Sequence, residues 1–116
     1  MIEGTGTHPA AARDTKSARL EHPSGFLALT KHESIPILID ALLDLPPGRE
    51  FTKTELAEHA GLTRQTVSNY ITELQEFELI EPVPNTSPQR YQLAESAVVE
   101  QLFTFNSVLN ATVASE

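Results

Sequence analysis

The chain has 116 residues, of which 40% are hydrophobic and 21% are charged, which suits one packed domain and excludes a multidomain enzyme. It has no cysteine, which excludes disulfides, thiolate metal sites and a cysteine nucleophile. Sixteen acidic residues against eight Lys and Arg give a formal net charge of −8. That charge indicates repulsion from nucleic acid, but it is also typical of a chain adapted to molar salt, and composition does not separate the two interpretations.

Residues 1–24 are predicted to form a flexible tail. Glycine, proline and small polar residues interrupt every regular period there, and a short helix over residues 10–20 would have little apolar surface to bury. The predicted domain covers residues 25–93, and residues 94–116 form a C-terminal helix.

The first helix predicted within the domain runs from Ser34 to Leu45. Ser34 is a suitable N-cap, and Pro36 lies in the first turn, where a backbone N–H has no partner in any case. The prolines and glycine at 46–48 end the helix. Apolar residues recur along it at helical spacing: Ile35, Leu38, Ile39, Leu42 and Leu45.

Two further helices are predicted, followed by a hairpin and a last helix. Thr52 has capping-box spacing to Glu55 and starts the second helix, which ends at Gly61. Thr63 can cap a third helix over residues 64–77. Its predicted buried residues are Val67, either Tyr70 or Ile71, Leu74 and Phe77. Residues 79–83 and 90–93 are predicted antiparallel strands, and the last helix covers residues 95–113.

Residues 54–74 have the pattern of a helix-turn-helix, two short helices joined by a turn that contains glycine. Ala57 allows the helices to approach closely, Gly61 supplies a positive φ, and Leu62 fills the angle between them. The outward side chains of the third helix suit base edges, and no carboxylate occurs between residues 59 and 72. The candidate DNA-binding residues on this helix and its cap are Thr63, Arg64, Gln65, Thr66, Ser68, Asn69 and Thr72.

The string LAEHAGLTRQTVSNYITELQEFELIE, at residues 56–81, resembles the core of the winged helix-turn-helix domains of bacterial and archaeal transcription regulators. Residues 34–93 are similar to the MarR and ArsR groups, and the acidic, lysine-poor composition resembles a haloarchaeal member. The resemblance implies an α+β, mostly α fold with a three-helix core, a two-stranded wing and an additional C-terminal helix. It also implies sequence-specific binding of double-stranded DNA, with the third helix in the major groove. Arg90, a single cation in a wing where many members carry more, is a further candidate contact.

Several of these residues have a second interpretation. The polar face can be an ordinary solvated surface, in which case the domain is a protein-interaction adaptor without DNA binding. Arg90 can contact DNA or pair with a glutamate across the hairpin. His59 is expected to stabilise the end of its helix rather than to bind a metal.

The C-terminal helix predicts a homodimer, because the core closes without it and its apolar stripe would otherwise leave an exposed patch. The alternative is that this helix packs within the monomer. In a dimer, two recognition helices would meet successive major grooves, with half-sites about 34 Å apart or a multiple of that distance. The predicted interface residues are Val98, Leu102, Phe105 and Leu109.

The sequence shows no nucleophile–base pair and no phosphate-binding glycine loop, so we predict no enzymatic activity. We also expect no cofactor and no metal, and the sequence shows no evident small-molecule ligand and does not tell whether an effector exists. No apolar run is long enough to cross a bilayer and no leader opens the chain, so the expected location is the cytoplasm.

Overall fold

The computed structural model describes residues 9–114, with side chains from residue 15 onward, and divides into two compact units between Glu33 and Ser34. The first unit contains helices α1 (Pro9–Glu21) and α2 (Gly25–Thr30). Helix α1 coincides with the short helix that the sequence allowed over residues 10–20, and its described side chains are all exposed. The second compact unit thus begins at Ser34, nine residues after the predicted domain start at residue 25.

The second unit begins with three helices that enclose its core. They are α3 (Ser34–Leu43), α4 (Lys53–Ala60) and α5 (Arg64–Glu76), followed by strands β1 (Ile80–Val83) and β2 (Arg90–Leu93) and helix α6 (Ala97–Ala114). All three core helices and the segment before β1 contribute side chains to this core, which buries apolar surface away from water. The largest fully buried side chains are Ile35, Leu38, Leu42, Leu56, Val67, Leu74 and Leu79.

Helix α3 is two residues shorter than predicted. The N–H of Asp44 donates to Ala41 O at 3.2 Å and that of Leu45 to Leu42 O at 3.1 Å, so the chain tightens into i to i+3 turns before the prolines. Leu45 lies in this tightened turn and is half-buried, whereas the helical stripe predicted its burial.

The two helices of the helix-turn-helix begin and end as predicted from local signals. Thr52 and Glu55 form the reciprocal capping box of α4, with hydrogen bonds of 2.9 and 3.1 Å. Gly61 has φ +75° at the end of α4, and Thr63 caps α5. Of the two candidates for burial in α5, Ile71 is buried and Tyr70 is half-buried. The predicted burial of Phe77 is wrong, because this residue caps the helix and is half-buried.

The hairpin is held to the start of α4 by a strand contact that the sequence did not predict. Strands β1 and β2 pair antiparallel, with Val83 opposite Arg90. Phe51 adds a bridge to Tyr91 through two backbone hydrogen bonds of 2.9 and 2.8 Å. The two rings stack with centroids 6.4 Å apart, and both residues are buried. This bridge joins the wing to the residue immediately before the α4 cap.

The C-terminal helix starts at a serine cap and leaves most of its length in solvent. Ser96 Oγ accepts the N–H of Val99 at 3.1 Å and donates to Glu78 O at 2.7 Å. Val99 is the one buried residue that α6 contributes. Within residues 9–114, no helix is both long and apolar enough to cross a membrane. Three core helices, a two-stranded wing and this additional helix make the second unit a winged helix-turn-helix.

Candidate nucleic-acid interface

Helix α5 has a buried apolar stripe on one side and a polar face on the other. Val67, Ile71 and Leu74 are buried in the core. The predicted contact residues lie on the remaining surface of the helix and its cap, as their sequence spacing requires. Thr63, Arg64, Gln65, Asn69 and Thr72 are exposed, and Thr66 and Ser68 are half-buried. The structure therefore places all seven predicted residues outside the buried stripe of α5.

Hydrogen bonds within this face fix several of its side chains. Gln65 Nε2 donates to Asn69 Oδ1 at 3.0 Å, one turn further along the helix. Thr63 Oγ1 accepts the N–H of Thr66 at 3.1 Å, and the two hydroxyls lie 2.9 Å apart. The two amide groups of Gln65 and Asn69 are thereby held side by side at the exposed surface of the helix.

The positive charge of the second unit is confined to one edge. Residues 34–116 contain twelve Asp and Glu but four Lys and Arg, and all four cations line two clefts that border the first turn of α4. Lys53 and Arg64 line a cleft of about 160 Å³ together with Pro88 and Gln89 of the wing loop. Arg49 and Arg90 line a cleft of about 330 Å³, which Glu50 and Glu55 also line. An acidic domain thus has a cationic edge, formed by Arg49, Lys53, Arg64 and Arg90.

Lys53 is a candidate contact that the sequence prediction missed. It is the first residue of α4 and lies beside Arg64 in the smaller cleft. The signal was available, because Lys53 directly follows the predicted cap Thr52 and helix N-termini favour phosphate. Its proximity to the recognition helix, however, depends on the packing of α4 against α5.

Arg90 has a partner that neither sequence interpretation named. Its Nη1 lies 3.4 Å from Oε1 of Glu55, the capping-box residue of α4. The predicted alternative, a pair with a glutamate across the hairpin, is wrong because the residue opposite Arg90 is Val83. The glutamate of β1, Glu81, instead accepts a hydrogen bond of 2.9 Å from Gln92 Nε2.

His59 faces a carboxylate rather than a set of metal ligands. Its Nε2 lies 3.8 Å from Asp44 Oδ2. Within the part of the chain that the structure describes, no three His, Asp or Glu side chains are grouped to hold a metal ion.

The predicted interface side of α6 is open to solvent. Val98, Phe105 and Leu109 are 40%, 53% and 45% exposed, and Leu102 is half-buried. Val98, Leu102 and Phe105 line an open apolar groove of about 580 Å³. Three further apolar residues of this helix, Phe103, Val108 and Val113, are also exposed and were not among the predicted interface residues.

A three-helix core, an exposed helix-turn-helix face and a wing define the class of winged helix-turn-helix DNA-binding domains. Comparison with known families agrees: the model of the Crp-like helix-turn-helix domain matches residues 38–95, half of the chain. The chain belongs to this family, which is one of DNA-binding transcription regulators and not of enzymes.

One solved structure supports the same fold. The crystal structure of NolR from Sinorhizobium fredii is similar with a TM-score of 0.55 and 18% sequence identity, over 90% of this chain and 95% of NolR. At that identity the likeness shows the fold alone. The search of curated proteins finds no match.

Proposed function

We propose that this chain binds double-stranded DNA with sequence specificity, as a homodimer, and regulates transcription from the bound site. One observation supports this most directly. From Thr63 to Thr72 the exposed polar face of α5 has no carboxylate, and Arg64 at its start lines the cationic edge of a unit that is otherwise strongly acidic. The carboxylates of α5, Glu73 and Glu76, are confined to its last turn, whereas its cation Arg64 lies in the first turn.

The residue types of the face suit direct reading of bases in the major groove. Arg64 is exposed in the first turn of α5 and matches the paired acceptors of guanine. Gln65 and Asn69, already hydrogen-bonded to each other, match the donor and acceptor of adenine. Ser68, Thr66 and Thr72 supply hydroxyls, and the threonines supply methyl groups for thymine.

The sugar–phosphate backbone is contacted by the groups around this face. Thr63 and the N-terminus of α5 attract an anion, as helix N-termini do. Lys53 carries positive charge to the same edge. Arg90, the cation of the wing, is paired with Glu55 of α4 and supports binding through the position of the wing.

The homodimer places two such faces on one operator. Helix α6 has 18 residues and exposes Val98, Phe105 and Leu109 along the predicted interface, with Leu102 between them. Burial of this stripe against a second copy removes apolar surface from water and creates a two-fold axis. Two recognition helices then read half-sites about 34 Å apart, or a multiple of that distance.

The finer resemblance, to the MarR and ArsR groups and to haloarchaeal proteins, is part of the same proposal. It is supported by the motif at residues 56–81 and by the excess of acidic residues.

The test starts by selecting bound fragments from genomic DNA and measuring their affinity by fluorescence anisotropy. Arg64→Ala and Asn69→Ala should each weaken binding by about 5- to 150-fold, since a base contact contributes about 1–3 kcal/mol. Gln75→Ala, near the far end of the same helix, is the matched control and should change affinity less than twofold. If both substitutions leave the affinity intact, the assignment of this face is wrong. Binding to another protein, with no DNA retarded at any salt concentration, would favour the adaptor.

A further inference from the structure

Two glutamates, Glu50 and Glu55, line the cationic edge, where their charge opposes DNA, and Glu55 is paired with one of its cations. Glu55 Oε1 accepts the N–H of Thr52 at 2.9 Å and lies 3.4 Å from Arg90 Nη1. Both partners of the ion pair are partly exposed, with 54% of the Glu55 side chain and 38% of the Arg90 side chain accessible. If a bound duplex brings phosphates to this edge, the charge of Glu55 opposes binding unless a favourable effect of the same residue offsets it.

Arg90 connects this carboxylate to the wing loop. It is the first residue of β2, and its own N–H donates to Thr86 Oγ1 at 2.9 Å within the loop. The same hydroxyl donates to Val83 O at 2.9 Å, which closes the loop on β1. The next residue, Tyr91, bridges to Phe51 just before the α4 cap. The ion pair and the bridge are therefore two adjacent attachments of the wing to α4.

We propose that Glu55 is a positioning residue for DNA binding, which holds Arg90, and through Arg90 the wing loop, at the angle to α5 that the duplex requires. This inference rests on the proposed DNA-binding function. The guanidinium of Arg90 supports binding by its pair with Glu55 and not by neutralising a phosphate.

The competing interpretation is that Arg90 contacts a phosphate directly and that Glu55 does no more than cap α4. The two interpretations predict opposite signs for one substitution. Glu55→Gln keeps an acceptor for the Thr52 N–H, because glutamine also serves in a capping box, but removes the charge that faces Arg90. If Glu55 only caps, the loss of a negative charge should strengthen DNA binding.

The experiment compares four full-length variants with the parent: Glu55→Gln, Arg90→Gln, the double variant and Glu58→Gln as the matched control. Glu58 is exposed on the same helix. Its substitution by glutamine removes the same charge as Glu55→Gln but leaves the ion pair with Arg90 in place. We expect Glu58→Gln to bind DNA as tightly as the parent or more tightly. Glu55→Gln should bind about two- to fivefold more weakly, which is the range that an exposed ion pair can supply.

Two further measurements complete the DNA test. The double variant should bind no more weakly than Arg90→Gln alone, since both substitutions remove one interaction. The slope of log affinity against log salt concentration should be the same for the parent and for Arg90→Gln. If Glu55→Gln strengthens binding like the control, and Arg90→Gln lowers the slope by about 0.9, Arg90 contacts a phosphate and the inference is overturned.

A readout without DNA separates this inference from the proposed function. In the free protein, amide hydrogen exchange at residues 86–91 should be faster in Glu55→Gln and Arg90→Gln than in the parent, and unchanged in Glu58→Gln. If the parent bound no DNA, the proposed function would fail. Unchanged exchange in all variants would overturn the inference whether or not the parent binds DNA.

Discussion

At the scale of single residues, Gly61 determines the angle between the two helices of the helix-turn-helix. Its φ of +75° lies in the left-handed region, and a Cβ added there meets nothing within 4 Å. Any cost of a side chain at this position therefore comes from the backbone conformation and not from a steric clash.

We expect Gly61→Ala to lower the free energy of unfolding by about 1–2 kcal/mol, the cost of a left-handed conformation with a Cβ. For a domain of this size, each kcal/mol corresponds to a decrease in Tm of about 4–8 °C. Gly61→Asn should lose less, since asparagine tolerates this region better than alanine. Urea denaturation of both variants provides the measurement. Equal stability of the alanine variant and the parent would contradict the positive φ.

Lys53 makes a prediction of a different kind, because it concerns charge and not stability. If Lys53 neutralises a DNA phosphate, Lys53→Gln should weaken binding and reduce the slope of log affinity against log salt concentration by about 0.9. The control is Lys31→Gln, an exposed lysine outside the cationic edge, which should leave the slope unchanged. The slope is obtained by anisotropy titrations over a range of KCl concentrations. A steeper or unchanged slope for Lys53→Gln would remove this residue from the interface.

At the scale of elements, the features that depend on local sequence signals were predicted, and the features that depend on long-range contacts were not. The capping box of Thr52 and Glu55, the left-handed Gly61 and the cap Thr63 each act over three or four residues, so α4 and α5 begin and end as the sequence indicated. For the same reason, the seven residues of the α5 face could be placed outside its buried stripe in advance.

The missed features all involve residues far apart in the chain. The bridge between Phe51 and Tyr91 attaches the wing to the residue before the α4 cap. Phe51 pairs as one isolated residue, so the sequence around it has no alternating pattern from which a strand could be predicted. Arg90 pairs with Glu55 across 35 residues, so a search limited to the hairpin could not find this partner. Lys53 approaches Arg64 through the packing of α4 on α5, which periodicity does not describe.

Helix α6 leads to a prediction about assembly. Leu102→Asp should dissociate the proposed homodimer, because it places a charge in the apolar stripe formed by Val98, Leu102, Phe105 and Leu109. Ser107→Glu is the control, since Ser107 is exposed and helical spacing places it on the opposite side of α6 from this stripe. Sedimentation equilibrium should show a monomer for Leu102→Asp and a dimer for the control and the parent. A parent that is monomeric at every concentration tested would reject the dimer.

At the scale of the whole molecule, the entire net charge of −8 belongs to residues 34–116. Residues 1–33 contain four basic and four acidic residues and are neutral overall. The second unit therefore repels itself at low ionic strength, and added salt screens that repulsion.

We expect the Tm of the protein to rise as KCl increases from about 0.1 M to 1 M, where the screening length falls from about 10 Å to 3 Å. Over the same range, DNA affinity should fall, because counterion release contributes less. Thermal denaturation and anisotropy on the same samples give both trends. Potassium sulfate would also strengthen apolar burial, so KCl is the better salt for isolating the charge effect.

The gathering of four cations on one edge of a strongly acidic unit also makes the charge distribution of that unit strongly uneven. In the proposed mode of DNA binding, the field of this unit turns the edge towards an approaching duplex, and approaches in other orientations are slowed by repulsion. An excess of acidic residues thereby acts as an orientational filter on collisions with DNA. The filter weakens as salt shortens the range of the field, so orientation is selected most strongly in dilute electrolyte.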